Sequence, residues 1–294
     1  MEAFDQNLDT LRVGFIGAGR LGTALAWSFA RRGLRVGAAF SQVRADTRRL
    51  ADPIPGCTIA STMQAVVNTS DIVFITTPDA VIEAATAQAG WRPGVAAVHC
   101  SGVTEVSALD HAARDGAMTG GFHPMQTFGD PEAAARSLPG CTVTIEADEP
   151  LNTTLVALAR RLECQVNRLP RGMRGRYHAA AGYPSQFINA LFAEAASIWQ
   201  SWGASREDAV RALLPLARGT LASIEAAGIA RGMPGPVSRG DIESIEKHVA
   251  ALTPLGPDVI EFYRVVCGRT IPLGVERGAI DEDAARRLRG ILAR

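Results

Sequence analysis

The six residues Gly17-Ala-Gly-Arg-Leu-Gly22 constrain the fold more than any other part of this 294-residue chain. A β-type run, Leu11–Ile16, precedes them, and an apolar-periodic helical pattern, Leu21–Arg32, follows. In this context the first glycine permits a tight turn, the second lets a pyrophosphate approach the backbone, and the third allows close packing of helix on strand. The sequence therefore predicts a βαβ unit that binds a dinucleotide, rather than a glycine-rich turn that binds nothing. The predicted contacts are Gly17, Ala18, Gly19, Arg20, Leu21 and Gly22.

β-type runs alternate with helical stretches throughout the first half. The predicted strands are Leu11–Ile16, Arg35–Phe40, Thr58–Ala60, Asp71–Thr76, Val95–His99, Ala117–Phe122, Cys141–Ile145 and Gln165–Leu169, with a helix at about 151–162 between the last two. Such alternation predicts a doubly wound, mostly parallel α/β sheet of the Rossmann type, with helices on both faces.

The pattern changes near Pro170, after which the sequence carries almost no strand signal. The predicted helices are Tyr177–Trp202, Ser205–Ala227, Arg239–Ala251, Pro257–Gly268 and Asp281–Ala293. Because Pro184 lacks a backbone donor, we expect it to kink the first of them. The boundary segment is 168–176, which gives an α/β domain over residues 1–170 and an all-α domain over 171–294.

Charge and cysteine usage exclude several classes of protein. The 30 basic and 30 acidic residues balance, which argues against a nucleic-acid binder and against a polybasic membrane anchor. The opening residues lack a signal peptide, and no apolar run approaches the ~20 residues that span a bilayer. Five scattered cysteines without a CxxC pair predict neither a disulfide framework nor a metal site. We therefore expect a cytoplasmic protein.

The second strand discriminates between the two nicotinamide cofactors. An NAD site usually ends this strand with an acid for the ribose hydroxyls, but here no acid occurs before Asp46. Ser41 can donate to a 2′-phosphate and Arg44 can pair with it, so NADP is favoured over NAD. Thr77 and Pro78 follow the strongest strand at the edge where ligands bind, and we predict that their backbone runs along the cofactor.

Two further motifs follow neighbouring strands and belong to the same sheet edge. They are His99-Cys-Ser-Gly102 and His123-Pro-Met-Gln-Thr-Phe128. Ser101 can donate to a substrate carboxylate or carbonyl, while His99 and His123 can donate protons or bind an anion. The alternative for each histidine is a structural role in the core.

The second half contributes two polar clusters. On one continuous helix, His178, Gly182, Ser185 and Asn189 would share a stripe with Gln186 nearby, which predicts a lined cleft rather than a solvated face. The turn Gly235-Pro-Val-Ser-Arg-Gly-Asp241 places Ser238 and Arg239 at a helix start, where they can hold a carboxylate. Its alternative role is a loop that only caps the next helix through Asp241.

These motifs, together with Tyr177-His-Ala-Ala-Ala181, give the chain a resemblance to Rossmann-like oxidoreductases whose C-terminal helical domain was long of unknown function. That family is similar to the superfamily of 6-phosphogluconate dehydrogenase, ketopantoate reductase, prephenate dehydrogenase and pyrroline-5-carboxylate reductase. The resemblance implies an NADP domain, a helical second domain, a cleft between them and a homodimer. Because some members are ketopantoate reductases, it also implies a branched 2-oxo acid as substrate.

The chain departs from that superfamily at two positions. The superfamily often has a catalytic lysine followed by asparagine at the start of the first C-terminal helix, where this chain has His178. Close relatives tend to show asparagine where this chain has Gln186. Lys247 is the only lysine, and helical periodicity predicts that it lies on a solvated face.

The resulting hypothesis is hydride transfer between NADPH and a carbonyl or imine carbon of a small anionic carboxylate. His178 would donate the proton, with Ser101 and His123 as the other catalytic residues. The predicted substrate-binding residues are His99, Ser185, Gln186, Asn189, Ser238 and Arg239. Two alternatives remain open: a non-catalytic NADP-binding sensor or interaction module, and a dehydrogenase of a hydroxy or amino acid.

Overall fold

In the computed structural model, which describes residues 7–293, the first half of the chain is built on an eight-stranded sheet. Its spatial order is β3-β2-β1-β4-β5-β6-β7-β8, and all neighbours are parallel except β6 and β7, which are antiparallel. The strands are β1 (Arg12–Ile16), β2 (Arg35–Phe40), β3 (Thr58–Ile59), β4 (Ile72–Ile75), β5 (Ala96–His99), β6 (Met118–Pro124), β7 (Thr142–Ala147) and β8 (Gln165–Arg168). The predicted fold class is confirmed.

Helices cover both faces of this sheet. They are α1 (Arg20–Arg31), α2 (Arg44–Ala51), α3 (Met63–Thr69), α4 (Ile82–Ala87), α5 (Asp110–Arg114), α6 (Pro131–Ser137), α7 (Leu151–Arg161) and α8 (Arg174–Gly182). Along β4, Ile72 and Phe74 belong to one buried cluster, while Val73 and Ile75 belong to the other. A parallel strand buried on both faces needs a continuous apolar run, which is why this strand was the easiest to predict.

Five helices make up the described part of the second half, together with short 3₁₀ turns. They are α9 (Gln186–Gln200), α10 (Arg206–Arg231), α11 (Ile242–Leu252), α12 (Pro257–Glu276) and α13 (Glu282–Leu292). Their apolar core includes Val237, Ile245, Ile271 and Leu288. Within residues 7–293, no helix has both the length and the apolar character required to cross a bilayer.

The predicted helix Tyr177–Trp202 is wrong as a single element. It is two helices, α8 and α9, separated at residues 183–185, where Ser185 has a ψ of −93° that is far from helical. Pro184 removes a backbone donor here, so the chain breaks the helix instead of kinking it. The predicted stripe running from His178 to Asn189 is therefore not one helical face.

The chain divides into two compact units between Gly182 and Tyr183, twelve residues beyond the predicted domain boundary after residue 170. The difference is α8, which belongs to the first unit. Its Arg174 is fully buried there and forms an ion pair with Glu146 of β7. An isolated buried charge is costly, so this pair ties α8 to the sheet.

Candidate functional site

The glycine loop has the geometry that its spacing predicts. Gly17 has a φ of +101°, and a Cβ there would lie 2.6 Å from the carbonyl carbon of Thr76. A Cβ on Gly22 would collide with Thr76 Oγ1 and lie 2.7 Å from Gly17 O. Gly19 differs, because no atom lies within 4 Å of the position that its Cβ would take. The first and third glycines are thus required by packing, and the second leaves open space at the start of α1.

The end of β2 lies directly beside this loop, since Gly17 N donates to Phe40 O at 2.8 Å. Ser41 is half-exposed, and Arg44 is exposed as the first residue of α2. The sequence reasoning missed Arg49, whose guanidinium donates to Ala18 O at 3.2 Å. Arg49 also pairs with Asp46, so the first acid after β2 is already neutralised by a neighbouring arginine. The end of β2 and the first residues of α2 therefore present arginine guanidinium groups and the Ser41 hydroxyl to a ligand.

A pocket of about 320 Å³ opens where β1, β4 and β5 end in the first unit. Its lining combines the glycine loop with residues that follow β4, β5 and β6: Arg20, Leu21, Thr76, Thr77, Pro78, Asp79, Cys100, Ser101 and Phe128. The buried Thr77 Oγ1 has no hydrogen-bond partner within residues 7–293. Buried hydroxyls are normally paired, so this atom is suited to a polar group of a bound molecule. An open pyrophosphate position and an unpaired hydroxyl at the pocket wall both fit a dinucleotide.

The loop after β5 is held by its own side chains. Ser101 Oγ accepts from the backbone N–H groups of Val103 and Thr104, and it donates to Thr104 Oγ1 at 2.9 Å. The hydroxyl hydrogen that we assigned to the substrate is therefore directed at Thr104. Ser101 lines the pocket, and it also shapes the turn that forms the pocket wall.

His99 needs a correction, because the structure buries it completely beneath this loop. Its Nδ1 accepts from Ser101 N at 3.2 Å, which places the ring under the motif instead of at the ligand side. Burial, with the positive charge of Arg174 and the neighbouring His123, lowers the pKa of His99 to about 3. A fully buried neutral imidazole supports the loop, so the predicted substrate-binding role is replaced by a structural one.

Three of the motifs singled out in the sequence lie together at His123: the segments 99–102, 123–128 and 177–181. Its ring lies 5.9 Å from the ring of His178, edge to face, and a Cβ on Gly102 would collide with His178 Nδ1. Burial lowers the pKa of His123 to about 4, with further contributions from His178 and Arg174. His178 is exposed. A neutral histidine and an accessible histidine thus lie together against the loop after β5.

Arg174 joins α8 to β7 and to the loop after β5. The sequence does not indicate this role. Its Nε donates to Glu146 Oε2 at 2.6 Å and its Nη1 donates to Ser101 O at 2.7 Å. The guanidinium occupies the space above Gly121, where a Cβ would overlap it. Arg174 lies in a run of arginines and glycines that looks exposed, so no local pattern marks it. Its partners are 28 and 73 residues away in sequence.

The other predicted ligand residues belong to the second unit. Ser185, Gln186 and Asn189 are exposed around the start of α9. Ser238 is buried and its hydroxyl donates to Gly235 O at 2.7 Å, while Arg239 is exposed.

Two expectations about α11 are confirmed. Asp241 caps the helix by accepting from Ser244 N at 3.0 Å. Lys247 is solvated, with 71% of its side chain exposed and Glu243 as its partner. The one lysine of the chain therefore lies on an open helix surface.

Sequence and structure comparisons agree with this two-part organisation. Residues 2–124 match the Rossmann-like domain family, and residues 141–270 match a domain of unknown function, DUF2520. The chain carries a Rossmann-like domain followed by a DUF2520 domain. No curated protein sequence matches it.

Solved structures share the fold at low sequence identity. BF3122 from Bacteroides fragilis, provisionally described as an NADP oxidoreductase, is 22% identical, with a TM-score of 0.68 over 90% of this chain and 100% of that one. A reductive aminase from Aspergillus terreus, bound to NADPH and ethyl levulinate, is 17% identical, with a TM-score of 0.62 over 97% and 99%. Pyrroline carboxylate reductase from Plasmodium falciparum, with NADP bound, is 12% identical, with a TM-score of 0.57 over 97% and 99%.

Proposed function

We propose that this protein is an NADP-dependent oxidoreductase that reduces a carbonyl or imine carbon in a small anionic molecule. The observation that carries the proposal is the pocket at the ends of β1, β4 and β5. One wall is a glycine loop with an open position at Gly19, and another holds the unpaired hydroxyl of Thr77. The third wall is the loop after β5, against which His123 and His178 lie.

The dinucleotide would be held by residues of the first unit. The backbone N–H groups at the start of α1 would bind the pyrophosphate, since a helix N-terminus attracts anions. Ser41 and Arg44 would bind the 2′-phosphate, with Arg49 adding positive charge beside the loop. Thr77 and Pro78 would contact the nicotinamide half. When bound, NADPH supplies a hydride to the substrate carbon.

The chain's own residues would position the substrate and supply the proton. His123 is neutral near pH 7 because burial keeps its pKa at about 4, so it can donate one hydrogen bond without carrying charge. His178 is exposed beside it and would donate the proton that the product needs. The loop at Ser101 would shape the site. From the second unit, Ser238 and Arg239 are the groups that we propose for the carboxylate, and Ser185, Gln186 and Asn189 remain further candidates.

The names of the structural neighbours help to choose the substrates. A reductive aminase and a pyrroline carboxylate reductase share the fold, which supports carbon–nitrogen double bonds alongside 2-oxo acids as targets. The resemblance of the chain's motifs to the ketopantoate reductase superfamily supports a branched 2-oxo acid. Ketopantoate, pyrroline carboxylate and simple 2-oxo acids with ammonia therefore belong in one assay panel.

The test is NADPH oxidation by the purified protein across that panel, followed at neutral pH. We expect turnover with at least one compound and a fall of ~10²–10⁴ in kcat for His178→Ala. His111→Ala is the matched control, because His111 lies on α5 with its Nε2 3.9 Å from Asp115 Oδ2 and does not line the pocket, so the rate should stay unchanged. Binding of NADPH without oxidation by any compound would instead identify a non-catalytic NADP-binding module.

We also propose that the protein acts as a homodimer through its second unit. Among described residues, α10 buries only Ala209 and Ala230, while Leu216 is 64% and Leu221 56% exposed. On α12, Val265 is 56% exposed. Apolar surface of this extent supports a partner of similar character, such as a second copy. Light scattering after gel filtration should give twice the chain mass of 31.1 kDa, and a monomer at micromolar concentration would refute this.

A further inference from the structure

A short hydrogen bond joins helix α8 to His123 in the first unit. Tyr177 Oη lies 2.7 Å from His123 Nδ1. Neither residue is among those that line the pocket.

The length and the chemistry of this contact indicate which atom donates. A distance of 2.7 Å is typical of an O–H donor and short for an N–H donor. A phenol is also a stronger acid than a neutral imidazole N–H, and the imidazole nitrogen is the better acceptor, so Tyr177 donates its hydrogen to His123 Nδ1. Burial raises the pKa of Tyr177, which keeps that hydrogen in place at neutral pH.

The consequence is one defined tautomer of the neutral His123 ring. With Nδ1 accepting, the ring hydrogen must be on Nε2. A Cβ on Gly102 would lie 3.0 Å from both Cε1 and Nε2 of His123, so this edge of the ring faces the loop after β5. The same Cβ would collide with His178 Nδ1, so only a glycine fits beside the two histidines.

Helix α8 contacts the ring from two sides. Tyr177 and His178 are adjacent, and their rings lie 5.6 Å and 5.9 Å from that of His123, both edge to face. Tyr177 is half-buried and bonds to Nδ1, whereas His178 is exposed and lies toward Gly102. The Nδ1 edge of the His123 ring therefore faces Tyr177, and the Nε2 edge faces Gly102 and His178.

We propose that Tyr177 is a positioning residue that fixes His123 as the Nε2–H tautomer, so that a neutral imidazole offers a hydrogen-bond donor to an oxygen or nitrogen acceptor of the substrate beside Gly102. This rests on the proposed function for its purpose, but the tautomer itself does not depend on activity. The expected contribution of one such hydrogen bond is an about 2- to 13-fold change in kcat/KM, from about 0.5–1.5 kcal/mol.

The experiment is a long-range ¹H–¹⁵N correlation spectrum of the histidine side chains in the ¹⁵N-labelled protein without cofactor. His123→Gln assigns the His123 signals. We expect a protonated Nε2 and an unprotonated Nδ1 in the unaltered protein. In Tyr177→Phe the two nitrogens should move toward the average of both tautomers, and kcat/KM should fall by the amount given above.

The second unit offers a matched control. Tyr263 Oη lies 2.9 Å from His248 Nδ1, again edge to face, which is the same kind of pair. Tyr263→Phe should change the His248 signals and leave those of His123 unaltered.

The outcomes separate this inference from the proposed function. A His123 ring that is protonated on Nδ1, or that is unmoved by Tyr177→Phe, overturns the inference whatever the enzyme does. The expected spectra without reduction of any compound support the tautomer assignment and overturn the proposed oxidoreductase function alone.

Discussion

The burial of His99 predicts a specific acid sensitivity of the first unit. The ring is fully buried and its pKa lies at about 3, against an ordinary value of 6.5. Between these values the unfolded chain takes up a proton that the folded protein does not, so stability is present above pH 6.5 and is lost as the pH falls toward 3. At pH 4.5, two units below 6.5, the unfolded state gains about 2.7 kcal/mol from this one proton.

The perturbation that isolates this effect is His99→Asn. An asparagine Oδ1 takes the place of Nδ1 and can still accept from Ser101 N, but it cannot titrate. Between pH 7.5 and pH 4.5, the unaltered protein should therefore lose about 2.7 kcal/mol more stability than the variant. Every other titrating group is common to both proteins and cancels in the difference.

The assay is urea unfolding at both pH values, read by hydrogen exchange of a peptide that contains β5, so that it reports on the first unit. His99→Ala is the control, because it also removes the acceptor for Ser101. It should be less stable than the asparagine variant at both pH values, yet show the same dependence on pH. Equal losses for the unaltered protein and His99→Asn would refute the reasoning and mean that His99 takes up a proton in the folded state.

Two further predictions concern packing around the site. Gly22→Ala should cost roughly 1–3 kcal/mol of stability, because its Cβ collides with Thr76, whereas Gly19→Ala should leave urea unfolding unchanged and weaken NADPH binding measured by fluorescence. Arg174→Met should cost about 3–5 kcal/mol by leaving Glu146 buried without its partner, and adding Glu146→Gln should recover part of that loss in the same unfolding assay. No recovery in the double variant would show that Arg174 acts mainly through its bond to Ser101.

The sequence predicted the sheet well because its signals are local. Buried parallel strands such as β4 are short apolar runs with a sharp end, and the spacing of the glycine loop reflects two close contacts, at Gly17 and Gly22, and one open position, at Gly19. The antiparallel direction of β7 has no such local signal, since it depends on how the chain returns to β6.

The different environments of the histidines could not be predicted from their motifs. His99 and His123 both stand at or near the end of a strand and both precede polar loops. What separates them is tertiary packing: the loop after β5 closes over His99, while α8 approaches His123 from outside the sheet. The position of α8 depends on a buried ion pair between Arg174 and Glu146, and nothing in either local sequence indicates that pair.

Around the loop after β5, arginine and histidine have separate roles that a single lysine can combine. Arginine holds a permanent positive charge, and histidine can transfer a proton. A guanidinium keeps its charge at physiological pH and cannot deliver a proton, so Arg174 is suited to holding Glu146 and the Ser101 carbonyl in place. The lone Lys247 is exposed in the second unit. In the proposed reaction, proton transfer in the first unit would therefore fall to the imidazoles, which differ in burial: His99 is buried under the loop after β5, His123 is half-buried and His178 is exposed.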